Sequence, residues 1–309
     1  ILLFVLVIPL LTELLSGNTP LTLLMNPVAY GFFLVAYSIP ALIIRELYVR
    51  RHMGVFGLVV LGLAYGVFNE GVVARTILQT GEMLSFHNYS TLGFNVPWAI
   101  LIVPWHAFFS ILYPIAIVNS LYPGESGKSW LSAKLCLGLG SVAVILGSIG
   151  YFSIGTFPPS PWQFLIACWV ILVFIALTSI KVPQGPKLLS EIAGTYLPRA
   201  KYFLFGVLFG GIQVLSFIWG ELRFSILTHL ILVGVPYATL LFYASKSVAV
   251  QSRMVAFIAL GHYSVWAFLM TFIVGVSGDP IVRLGAALVW LLLAVLWWKL
   301  SRQKVVESV

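Results

Sequence analysis

A carboxylate and an imidazole embedded in apolar sequence are residue types that move protons or activate water, and this chain carries both. Glu70 stands beside Asn69 in LGLAYGVFNEGVVART (61–76), and His106 stands in PWHAFFSILYP. An ionisable group in hydrocarbon costs several kcal/mol unless it is paired or wetted, so each one is a site candidate by default. Glu70 has two readings: a general base or proton carrier, or the ion-pair partner of Arg75 further along the same segment. His106 reads as a general base or ligand facing Glu70. Its alternative is a neutral imidazole bonded to a helix neighbour, with Ser110 at i+4. His229 enters a later apolar segment from the same side, and Glu13 lies on the first segment at the depth of Glu70. The sharpest expectation is one outward-facing polar cavity. Glu70, His106 and His229 would be its catalytic groups; Asn69, Glu13 and Arg75 would bind substrate or ion. No metal is assigned to it, and no cofactor is specified.

Other polar residues carry blander readings. Arg45 and Glu46 stand near the end of the second apolar segment, where Arg45 can snorkel toward the headgroups. His262 belongs to the inner half of a late segment, away from the others. His87 reads as solvated, and Asn88-Tyr89-Ser90 fits a glycosylation acceptor, a three-residue pattern frequent by chance. Cys136 and Cys168 both fall inside apolar runs, which argues against a disulfide framework or a thiolate zinc site. The sequence has no HExxH, no phosphate-binding glycine loop, no GxSxG nucleophile and no arginine-rich voltage-sensing helix.

The elements that must position these residues follow from composition. The chain is 61% hydrophobic and 8% charged, against about 25% charged in soluble domains. Lipid is the solvent that accepts so much apolar surface. A spanning helix needs roughly 20 apolar residues. About ten segments qualify, near 1–16, 26–49, 54–75, 97–121, 131–153, 161–180, 202–221, 224–245, 254–275 and 281–299. The fold class expected is an all-α polytopic transmembrane bundle, a single domain over 1–309. The connector 181–201 is cytoplasmic and includes KLLSEIAGTYL, which suits an interfacial helix. Basic residues set the orientation. One alternating set of loops and ends holds most of the 17 Lys and Arg, from Arg50 and Arg51 through Lys128, Lys187 and Arg199 to Arg302 and Lys304. The opposite set holds Arg223 and Arg283, with Arg75 at its edge. Both termini are therefore expected in the cytoplasm, in a multi-pass protein of the cell membrane. The net charge of +8 is spread over these ends and forms no patch, which excludes nucleic acid as a partner. Membrane lipid is the expected partner, with other membrane subunits as a further option. The opening ILLFVLVIPLL reads as a span whose native start is missing.

A weak internal similarity is present. Glu70 and Arg75 end one segment, and His106 then Pro114 occupy the next; Glu221 and Arg223, then His229 and Pro236, repeat the order. Parallel repeats of this kind occur in transporters, and chance likeness between Gly-rich apolar helices also produces them.

The stretch from Leu11 to Thr76 contains TELLSGNTPLT, ALIIRELYVRR and LGLAYGVFNEG. It resembles a group of uncharacterised prokaryotic polytopic membrane proteins with an acidic Gly-Glu-Glu-Gly-like segment. More remotely it resembles the CaaX-protease and bacteriocin-processing (CPBP) superfamily of intramembrane proteases. That resemblance implies a helical fold in which a Glu and His pair activates water for peptide hydrolysis. Glu70 would match the second Glu of the Glu-Glu-x-x-x-Arg helix, His106 the first His and His229 the later one. The sequence departs from the pattern where Asn69 replaces the first Glu and Ala74 takes the place of Arg. Arg75 falls one residue late, and Gly234 and Val235 leave His229 without its Asn.

Three functions are compatible with these residues: an intramembrane hydrolase, a transporter or lipid-handling carrier with kinks at Pro114 and Pro236, and a non-catalytic subunit of a larger membrane complex. The hydrolase requires Glu70, His106 and His229 to meet within about 4–6 Å.

Overall fold

A computed structural model describes residues 1–16, 19–78, 90–91, 93–153, 160–179, 199–221, 226–239, 252–277 and 280–302. Most of the connector 181–201 lies outside the described residues, as do His87, Asn88, Arg223 and Lys304. The described residues are mainly helical, with two-residue strands β1 (Ser90–Thr91) and β2 (Phe94–Asn95) that pair antiparallel. The long helices are α1 (Leu2–Leu14), α2 (Pro27–Arg50), α3 (Val55–Val73), α4 (Val96–Leu121), α5 (Ala133–Ser153) and α6 (Pro161–Leu177). Then come α7 (Arg199–Glu221), α8 (Ile226–His229, running on into Leu230–Thr239), α9 (Ser252–Ser277) and α10 (Pro280–Arg302). Among the described residues, five helices are long and apolar enough to cross a membrane: α2, α3, α4, α5 and α10. This is an all-α membrane protein.

The bundle is built around α3 and α4. Their most apolar stretches are 78% and 83% buried, against 17% in α5 and 22% in α10. Large apolar side chains such as Leu137, Ile145, Leu172 and Leu291 stand exposed on the outer helices, the surface that lipid covers. Small residues let the two central helices touch. A Cβ placed on Gly62 would lie 2.8 Å from the Ala107 Cα, and one on Gly66 would lie 2.6 Å from the Val103 carbonyl oxygen. Close backbone approach through small residues is the usual way helices associate in lipid. The pair α7 and α9 uses the same device, with Gly206 against the Ile258 carbonyl and Gly261 against the Phe203 carbonyl.

Prolines shape the remaining packing. A proline inside a helix has no N–H for the carbonyl one turn back, and in lipid that carbonyl must find another donor. Pro9 frees the Val5 carbonyl, which accepts from Ser38 Oγ at 2.6 Å. Pro40 frees that of Ala36, which accepts from the Tyr65 hydroxyl at 2.8 Å. Around Pro114 the turn is wide, with the Tyr113 N–H reaching back to the Phe108 carbonyl, so the next carbonyl, that of Phe109, is left over. It accepts from Thr12 Oγ1 at 3.4 Å and from the Tyr263 hydroxyl at 3.3 Å. Each bond ties two helices together, so the prolines staple α1 to α2, α2 to α3, and α4 to both α1 and α9.

Wide π turns lie beside prolines over Leu10–Leu14, Leu34–Ser38, His106–Leu112 and Leu230–Gly234, and a further one, over Phe68–Val73, has no proline near it in sequence. The segments ending at Ser38, Leu112 and Gly234 each stop two residues before a proline. The last two give the internal similarity a backbone counterpart: in both places a histidine, a π turn and a proline follow one another.

Candidate functional site

The π turns carry the polar residues. Glu13 lies in the first, Tyr37 and Ser38 in the second, Asn69 and Glu70 in the third, and His106 and Ser110 in the fourth. Single π turns inside α-helices recur at functional sites, because the extra residue per turn re-aims side chains.

Glu70 and His106 meet in the centre of the bundle. Their exposures are 6% and 2%, and Glu70 Oε1 lies 2.6 Å from His106 Nε2. A contact this short between a carboxylate oxygen and an imidazole nitrogen needs one proton held between them. Asn69 Nδ2 lies 3.3 Å from Glu70 Oε1 and 3.1 Å from His106 Nε2. The other ring nitrogen, Nδ1, is 2.9 Å from Ser110 Oγ, which fixes the ring orientation. Aromatic groups close the imidazole in. Tyr37 stacks on it at 6.1 Å between centroids, and Tyr65 and Trp105 meet it edge-on at 5.8 and 5.0 Å.

The second oxygen of Glu70 takes the Thr76 hydroxyl, and Thr76 Oγ1 in turn accepts from Trp98 Nε1 at 2.9 Å. A backbone turn makes this possible. Arg75 has a left-handed φ of 60°, a conformation that ordinary side chains seldom adopt. It ends α3 and folds the chain back, so that Thr76 returns beneath the carboxylate. The Arg75 guanidinium is directed elsewhere: Nη1 donates to the Tyr151 carbonyl at 3.1 Å and the group lies over the Tyr151 ring at 5.0 Å. Arg75 thus serves the α3–α5 contact.

Glu13 joins the cluster from α1. Its carboxylate accepts from Thr19 and stands beside Tyr37. Since Tyr37 stacks on His106, Glu13 is linked to the central pair through one aromatic side chain. Of the residues singled out from the sequence, Glu13, Asn69, Glu70 and His106 are thus brought together. The backbone of His229 ends the turn Ile226–His229, which packs on the first part of α4, and its side chain lies outside the described residues. Thr76, Tyr37, Tyr65 and Trp98 complete the site and were not singled out. Tyrosine hydroxyls midway along apolar helices were a signal for two of them, since a buried hydroxyl needs a partner. Among the described residues, no group of three His, Cys, Asp or Glu side chains gathers to hold a metal ion.

Two other polar centres stand apart. Arg45 and Glu46 are both fully buried, so Arg45 does not snorkel. Arg45 Nη1 lies 2.8 Å from Glu46 Oε1, and its guanidinium donates to the carbonyls of Glu125, Ser126 and Lys128. It also lies over the Trp130 ring at 3.4 Å. Glu46 accepts from Ser129 Oγ at 2.7 Å and from the Trp130 N–H at 2.8 Å. In the second half, His262 contacts the Tyr113 hydroxyl at 2.9 Å and Gln213 Oε1 at 2.6 Å. Phe109 separates this network from the central pair: its ring stacks on Trp105 and meets His262 edge-on.

The chain belongs to an uncharacterized membrane protein family, whose profile matches residues 2–302. It is thus a multi-pass integral membrane protein. No curated protein and no solved structure matches it.

Proposed function

We propose that Glu70 and His106 form the general-base pair of an intramembrane hydrolase, with water as nucleophile. The observation that carries this reading is the 2.6 Å contact between Glu70 Oε1 and His106 Nε2 in a buried, aromatic-walled site. Glu70 Oε2 is the working oxygen. The Thr76 hydroxyl holds the position that a water would take, and a substrate that displaces Thr76 delivers water to a carboxylate already oriented by His106 and Asn69. The proton taken from water passes into the Glu70–His106 pair and returns to the leaving group. The remote CPBP resemblance supports peptide as the substrate class, with His229 as the third catalytic group. The site sits in a single domain of ten spans in the cell membrane, with both termini and the 181–201 connector in the cytoplasm. The helices α1 to α10 and the distribution of Lys and Arg support this topology.

The test is a map of new peptide termini in membranes of cells expressing the wild type or Glu70→Gln. Cleavages present with the wild type and missing with the variant, at equal protein level, are expected. Identical termini in both would overturn the reading. A second reading, a proton-coupled carrier, is favoured by one observation: Tyr37 stacks on His106 and stands beside Glu13 of α1, giving two buried carboxylates around one aromatic side chain. Liposomes in which the wild type, but not Glu70→Gln, moves protons down a pH gradient would support it instead.

A further inference from the structure

At the end of the bundle where α4 and α10 finish and α7 and α9 begin, four basic side chains gather in two functional pairs. Arg199, at the start of α7, donates to the Ser301 carbonyl, and Arg253, at the start of α9, donates to that of Leu300 at 2.8 Å. Those carbonyls belong to the last turn of α10, which a helix leaves without internal partners. The two arginines complete it and offset its negative end. Lys299 and Arg302 are left for another role.

Both line a cavity of about 330 Å³ together with Leu121, Tyr122 and Trp298. Among the described residues, no acidic side chain lines it and neither Lys299 nor Arg302 takes part in an ion pair. The acid nearest in sequence to Tyr122, Glu125, is taken up by Lys128 at 2.6 Å. Arg302 lies over the Trp298 ring at 4.6 Å, which holds the guanidinium over the cavity's aromatic wall. The volume is within the range of small-molecule sites.

We infer that this cavity binds the phosphate group of an anionic membrane lipid. The guanidinium fork and the ammonium supply charge-assisted bonds to phosphate oxygens, and the Tyr122 hydroxyl adds a neutral donor. Leu121 and Trp298 give the glycerol and upper acyl chain an apolar wall at the depth where aromatic side chains mark the membrane interface. Basic pockets between transmembrane helices bind such headgroups. Free phosphate shares the recognised chemistry, so the experiment separates the two sources.

Purified full-length protein in neutral detergent is titrated with phosphatidylglycerol, phosphatidylcholine or inorganic phosphate. Lipid retention is read by native mass spectrometry and phosphate binding by the shift in thermal unfolding. Phosphatidylglycerol is expected to be retained, with affinity falling about tenfold or more in Lys299→Gln/Arg302→Gln. Lys128→Gln, which removes one exposed charge elsewhere, is expected to keep wild-type retention. The single variants Lys299→Gln and Arg302→Gln are read beside the double one, so that a misfolded double variant still leaves a result. Protection by inorganic phosphate alone, lost in the same variants, assigns the site to a soluble phosphate compound. Equal retention of both lipids by the wild type with no phosphate effect, or an equal loss in Lys128→Gln, overturns the inference.

Discussion

Two buried acid–base pairs sit on neighbouring helices, and they are held in opposite ways. Glu46 and Arg45 are adjacent in sequence and bonded largely to the backbone of residues 125–130, a loop that they fasten under α2. Glu70 and His106 come from different helices, and the bonds of their carboxylate and imidazole run to side chains: Asn69, Thr76 and Ser110. Backbone partners cannot leave without unfolding a segment. Side-chain partners rotate away at the cost of a hydrogen bond or two. The first arrangement is a structural knot, and the second suits the proposed opening to a substrate. Burial alone does not separate them, since the knot is the more deeply buried of the two.

That contrast can be broken by substitution. The largest effect is expected at the knot. Arg45→Ala takes the buried guanidinium away from Glu46 and from the carbonyls of Glu125, Ser126 and Lys128, leaving Arg50 at 3.6 Å as the remaining cation; breaking a buried pair in this way costs about 3–5 kcal/mol. The folded fraction in detergent, followed by denaturant titration, should fall accordingly, and expression with it. At the central pair, Glu70→Gln keeps an acceptor for His106 and an amide for Thr76. Stability should change by no more than about 1 kcal/mol, while hydrolysis drops about 100-fold or more with loss of the general base. Thr76→Val removes the hydroxyl from Glu70 Oε2 and should cost about 1 kcal/mol in unfolding experiments. In the proposed mechanism water replaces that hydroxyl, so hydrolysis should persist, in contrast to Glu70→Gln.

The smallest effect belongs to the exposed pair Glu125–Lys128. The hydrogen bond from Lys128 holds the Glu125 carboxyl below the usual glutamate range. Its contribution is therefore present above the ordinary glutamate pKa and lost as pH falls through the depressed value. Lys128→Ala should move the Glu125 titration, followed by NMR, back up, with hardly any change in melting temperature.

Much of this was legible in the sequence, for a physical reason. In lipid every polar or ionisable residue must find a partner, so Glu13, Asn69, Glu70 and His106 marked themselves, and α1 to α10 fall on the apolar runs. The partners were harder to read. Thr76 depends on one left-handed residue, Arg75, and no local pattern announces that a bulky side chain adopts such a turn. Arg45 looked free to snorkel because its partners are carbonyls of a distant loop, a tertiary contact without sequence periodicity. The π turns were equally hidden. The one over His106–Leu112 arises where a proline, a freed carbonyl and a donor on another helix coincide, here Pro114, Phe109 and Tyr263.

The most direct measurement sets Glu70→Gln beside Glu46→Gln in the same detergent, reading thermal unfolding and peptide cleavage per folded molecule. The account predicts that Glu70→Gln melts within a few degrees of the wild type and is inactive, whereas Glu46→Gln loses stability and keeps activity in whatever fraction folds. A Glu70→Gln protein that unfolds as readily as Glu46→Gln while its folded molecules still cleave would contradict it.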